Sequence, residues 1–113
     1  MKQETRRGIG AGPPRHERPV IDEAAMVVAR AGDALVAEAR AVGATRWLAY
    51  FEPLPDRFRD EGLADLRRTA LRARAAYGPK DSVRDALPPS VTEPLLAAVD
   101  KLVKELNRRE AHE

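Results

Sequence analysis

The residues able to carry chemistry are few in this chain and poorly placed for it. His16 and His112 are its only imidazoles, and it has no cysteine. An imidazole can serve as general base or metal ligand, but only beside a partner group. His16 falls in a Gly/Pro-rich opening stretch and His112 beside the last residue. Four carboxylates, Glu52, Asp56, Asp60 and Glu61, gather around Pro53 and Pro55. A metal there would have carboxylate ligands alone, and no Glu-x-x-His pair supplies a nitrogen donor. With no base or nucleophile beside them, these carboxylates fit the positive N-terminal ends of helices. The reading is a non-enzymatic protein with no cofactor and no metal.

Gly8, Gly10 and Gly12 begin like a phosphate-binding loop, but Pro13 stands where a dinucleotide fingerprint needs its third glycine. Such a loop also needs a strand before it and a helix N-terminus after it. The periodicity predicts neither, so the segment reads as linker.

Cations are the next candidates. In residues 1–20, Lys2, Arg6, Arg7, Arg15 and Arg18 outweigh Glu4 and Glu17 by three charges, and the remaining 93 residues sum to −1. Arg6, Arg7, Arg15 and Arg18 could reach nucleic-acid phosphates, which require only mobile positive charge. A second group comprises Arg67, Arg68, Arg72 and Arg74 with Lys101, Lys104, Arg108 and Arg109. It closes segments that open with Asp or Glu, an order that complements helix macrodipoles without any ligand.

Residues 36–51, VAEARAVGATRWLAYF, resemble the helix-turn-helix signature of bacterial regulators. Ala39 takes the small-residue place, Gly43 the turn, Val42 a core position, and Thr45 the cap of a recognition helix. The resemblance implies three successive helices over 21–52, one starting at Asp33, with Thr45 and Arg46 meeting DNA. It departs from the pattern where an apolar anchor is expected, since that place is Ala49 and Leu48 comes one residue early. A small DNA-binding regulator using residues 33–52 is the alternative functional reading.

The remaining candidates are apolar. RWLAYFEPLPDRF at 46–58 contains Trp47, Tyr50, Phe51 and Phe58, four of the five aromatic residues. They are either the largest fillers of a lean core or a gripping patch; core is the reading for Trp47, Phe51 and Phe58, with Tyr50 nearer solvent. Leu95, Val99, Leu102 and Leu106 form the other candidate contact face.

These residues must be positioned by helices. Ile21, Ala25, Val28, Gly32, Leu35, Ala39 and Val42 repeat at 4-3-4-3-4-3. That spacing predicts one amphipathic helix, continuous through Gly32 and closed by Gly43. Thr45 is expected to cap a short helix, Arg46 to Glu52, which Pro53 ends. A lead-in turn follows at 55–60. Leu63, Leu66, Ala70, Ala73 and Tyr77 mark a second long helix, stopped by Gly78-Pro79. Asp81 opens a short turn. Leu95, Val99, Leu102 and Leu106 mark the last helix, with Ser90 and Glu93 as a capping box or Thr92 as the cap. No stretch alternates with the period of a strand.

The fold class is therefore all-α: a small three-helix bundle with short connecting helices and a disordered N-terminal arm. Residues 1–20 form the arm, 21–109 the bundle and 110–113 a frayed end. Alanine supplies 20 of the 113 residues, so the core is thin in buried area and stands to gain from a partner. The longest apolar run, AAMVVA, has six residues, and MKQETRRG has no apolar region. The expectation is a cytoplasmic protein without leader or membrane span. Arginine exceeds lysine 16 to 4, in keeping with a GC-rich bacterial or phage genome. The lead reading is a regulatory protein-interaction module that self-associates, as a homodimer for example, or binds a protein partner through an apolar helix face.

Overall fold

A computed structural model describes residues 14–111, with side chains through Arg108. They are mostly helical, and no strand occurs among them. A 3-10 turn at Arg15–Glu17 leads into α1, Pro19–Val42. Two short helices follow, α2 at Thr45–Phe51 and α3 at Leu54–Asp60, then α4 at Leu63–Ala75. A second 3-10 turn, Val83–Asp85, precedes α5 at Pro89–Ala111.

Helical structure is present from Arg15, before the expected arm boundary at residue 20. Pro19 holds the first helical position, where its fixed φ suits the turn and its missing N–H costs nothing. The part of the arm up to residue 13, with Arg6 and Arg7, lies outside the described residues, as does His112. At the other end of α1, Gly43 is left-handed with φ 72° and ψ 28°. The Ala44 N–H donates to the Ala39 carbonyl at 2.9 Å, closing the helix as a glycine C-cap should.

Two expected caps do not form. Thr45 lies inside α2, Ala44 stands at the N-cap, and the Thr45 hydroxyl donates to the Gly43 carbonyl at 3.3 Å. In α5, Pro89 opens the helix and the Pro88 carbonyl accepts from Val91 and Thr92 at 3.1 Å. Neither Ser90 nor Thr92 is the cap, and Pro94 falls inside the helix. The proline pair starts α5 one residue before Ser90. Pro94 then leaves the Ser90 carbonyl without its helical donor, at an exposed residue where water can serve.

The long helices are joined through α5, which packs against both α1 and α4. Arg67 meets Asn107 at 2.6 Å and Arg74 meets Asp100 at 2.9 Å, so α4 and α5 run antiparallel. Helix α1 also packs on α3 and α2. Phe51, Phe58, Leu35, Leu54, Leu66, Leu95 and Leu102 are the largest side chains sealed in the shared core.

Helix α1 is unbroken at Gly32, and the packing explains the glycine. A Cβ at that position would stand 3.2 Å from Cγ of Pro55, whose ring is itself buried. The glycine lets α3 lie directly against α1. Gly32→Leu is therefore expected to lower stability by about 1–3 kcal/mol through overpacking. Urea unfolding measures this, and an unchanged midpoint would contradict the close packing.

Candidate interaction surface

The aromatic corner is a core element. Trp47 is 6% exposed, Phe51 and Phe58 1% each. The Trp47 and Tyr50 rings meet edge to face at 5.6 Å, and Tyr50 and Phe51 at 5.1 Å. Proline placement accounts for this arrangement. Pro53 ends α2, Pro55 opens α3, and the chain folds the two short helices over the buried side of α1. Tyr50 is half-buried; its hydroxyl donates to the Arg72 carbonyl at 2.6 Å and so ties α2 to α4.

Leu95, Val99, Leu102 and Leu106 are likewise buried, none more than 2% exposed. As contact residues these and Trp47, Phe51 and Phe58 require correction. Their own chain covers them, because α5 spends its apolar stripe on α1 and α4. In place of that stripe, the exposed large hydrophobic residues among the described ones are Val20, Val27, Val42 and Leu71. Val42 belongs by spacing to the buried stripe of α1, but it lies at the helix end, where the chain turns away.

The expected nucleic-acid residues separate. The Arg15 side chain is 10% exposed and is no free cation. It donates to the carbonyls of Phe58 at 2.7 Å and Glu61 at 3.0 Å, and to Oδ1 of Asp22 at 3.0 Å. A guanidinium against the last carbonyls of α3 satisfies acceptors that the helix leaves open. Arg18 is half-buried and donates to the Glu17 carbonyl at 3.4 Å. Thr45 and Arg46 are exposed. The helix break at Asp33 that a three-helix DNA-binding unit needs is absent, and Asp33 instead pairs with Arg59.

The four carboxylates of the proline corner are not gathered into one site. Glu52 pairs with Arg40 at 2.9 Å and Asp56 with Arg59 at 3.1 Å. Glu61 accepts from the Thr69 hydroxyl, while Asp60 faces solvent. Among the described residues no group of three or more His, Cys, Asp or Glu side chains could hold a metal. No helix among them is long and apolar enough to cross a membrane.

Sequence reading missed the polar ties that close the end of the molecule near α5's start. Arg84 grips Glu93 through two hydrogen bonds of 2.8 Å. Those bonds hold the Glu93 carboxyl below the usual carboxylate range. The Tyr77 hydroxyl donates to the Thr92 carbonyl at 2.6 Å, and burial pushes its phenol well above the ordinary tyrosine range. Arg84 and Glu93 are nine positions apart with a proline pair between, so no helical spacing announces the contact. Also missed was the stacking of two arginines already named as candidates: the Arg72 guanidinium lies 4.7 Å from the centre of the Tyr50 ring, and that of Arg46 4.5 Å from Trp47's. The four-residue spacing of Arg68 and Arg72 was visible; the ring across from Arg72 was not.

No family model, no curated protein and no solved structure matches this chain.

Two outcomes test these ties. Arg15→Ala is expected to cost about 1.5–3 kcal/mol, the range for hydrogen bonds to a charged group, read by urea unfolding. Glu93 titrates lower when folded, so its contribution is complete above the ordinary glutamate value of 4.5 and fades as pH falls through the lowered folded value. Thermal melts should then show a shallower acid loss for Glu93→Gln than for the parent; identical acid limbs would remove the pair from the pH response.

Proposed function

We propose that this chain is a non-enzymatic helical interaction module, a three-helix bundle of α1, α4 and α5 that self-associates through the outer margin of α1. The arm before it, expected to be flexible and basic, would accompany a regulatory role in the cytoplasm.

The observation that carries the reading is the width of the apolar arc on α1. At 100° per residue, the buried positions from Ala24 to Ala29 and Val36 occupy about 140° of the helix circumference. The apolar character does not stop there. Val20, Val27, Ala31 and Ala34 continue it over about 80° more, within which Glu38 is the one charged residue, and Val42 lies at its edge in line with Ala24. Val20 is 57% exposed, Val27 39% and Val42 56%. A helix bearing an apolar face wider than its own chain covers has area left to bury against another surface.

Charge favours a second copy as the occupant. Glu23 and Arg30 border the margin on one side, two turns apart and 3.8 Å from each other at their tips. An antiparallel copy related by a two-fold axis near Val27 would set each against its opposite number, the self-complementarity of a two-fold interface.

Sedimentation equilibrium of the whole chain provides the test. The parent is expected to dimerise reversibly, and Val27→Lys, at a position already open to solvent, should weaken the dimer at least tenfold without loss of helicity. A parent that stays monomeric at every concentration would overturn the reading.

A further inference from the structure

A different observation concerns charge rather than apolar area. Helix α4 carries four arginines and one aspartate. Arg67 reaches Asn107, Arg74 pairs with Asp100 and Arg68 with Asp65, so most of its charge is engaged. Arg72 is engaged otherwise, its guanidinium over the ring of Tyr50. Arg46 is held in the same way over Trp47. Among the described residues no carboxylate pairs with either. The nearby candidates are taken: Glu52 by Arg40 and Asp65 by Arg68.

The two cations belong to one patch. From Arg46 to the Trp47 ring is 4.5 Å, from that ring to Tyr50 5.6 Å, and from Tyr50 to Arg72 4.7 Å. Arg68 stands one helical turn before Arg72, with its side chain 82% exposed. Stacking on a ring restrains a guanidinium without consuming its N–H donors, so less freedom is lost when an anion arrives. These forks fit phosphate oxygens in a bidentate manner.

We propose that Arg46 and Arg72, stacked on the Trp47–Tyr50 pair, form a binding surface for the phosphate backbone of a nucleic acid. The patch would read charge and not sequence. Trp47 is nearly sealed, and a guanidinium already lies over each ring, leaving no open aromatic face on which a base could stack. Duplex, with its denser charge, is therefore favoured over single strands. The surface shares Arg46 with the helix that the helix-turn-helix resemblance would place on DNA, but it contacts phosphates and reads no bases, and it is independent of the margin on α1.

Trp47 is the chain's one tryptophan, so its emission reports on the patch itself. The full chain is titrated with short duplexes of unrelated sequence at several salt concentrations. Emission should change saturably and alike for every sequence. The Arg46→Gln/Arg72→Gln double variant, checked for helicity by circular dichroism, should bind at least tenfold more weakly at low salt. By fluorescence anisotropy of labelled duplex, its log–log salt slope should be shallower than the parent's by about two, one for each phosphate no longer neutralised. Arg46→Lys/Arg72→Lys, which keeps charge without the fork, should fall between. Parent and double-Gln affinities that agree would overturn the proposal by moving binding elsewhere, as would Trp47 emission that ignores duplex at low salt. Polyglutamate that displaces duplex at equal charge concentration would equally overturn it, in favour of an acidic protein partner.

Discussion

Gly32 and Pro55 touch because one lacks a side chain and the other cannot move its ring, and much of the molecule is arranged around that contact. With 3.2 Å between Pro55 Cγ and the place a Cβ would occupy, α3 lies as near to α1 as backbone and ring permit. Phe58 and Leu54 of α3 then enter the core, and Phe51 and Trp47 of α2 follow them. Interiors pack at crystal-like density, so a core rich in alanine needs such close approaches to leave no void. The few large side chains fill what remains. A side chain at this position would press on the Pro55 ring and push α3 away from α1 by a few tenths of an ångström or more, according to its size.

The polar groups reinforce the same arrangement at its ends. Arg15 closes the carbonyl end of α3 and joins it to Asp22 at the start of α1. Arg84 and Tyr77 fasten the loop after α4 to the first turn of α5. Exposed ion pairs such as Arg40–Glu52 contribute little each, whereas a hydrogen-bonded group shielded from water has no solvent to fall back on when its partner is removed. What the chain leaves unspent is informative. An apolar margin on α1 stays exposed, and among the described residues the two ring-stacked arginines have no carboxylate partner.

The extent to which this was legible varies with the range of the interaction. The 3-4 stripes announced α1, α4 and α5, and the glycine at 43 announced the end of α1, because these depend on neighbours a turn or two away. The caps at Thr45 and Ser90 were misplaced for an equally local reason. At Ser90 the start shifts because Pro89 takes the first helical position ahead of the hydroxyl, and at Thr45 the helix begins one residue early with Ala44 at the cap. The candidate contact residues proved hardest. An apolar stripe looks the same in sequence whether it meets its own chain or another, so Leu95 to Leu106 could not be assigned by pattern.

Sequence alone therefore determined the all-α class and the long helices, which follow from local periodicity, and it favoured the core for Trp47, Phe51 and Phe58 through scarcity of bulk without excluding a contact patch. Only the tertiary structure decided that Gly32 exists for Pro55, that Arg15 is a cap rather than a free cation, and that Arg46 and Arg72 share one aromatic pair. Those facts join residues 23 to 46 positions apart, in the case of Gly32 with Pro55, Arg46 with Arg72, and Arg15 with Phe58 and Glu61. Contacts of that span are set by how helices pack, and no spacing along the chain encodes them.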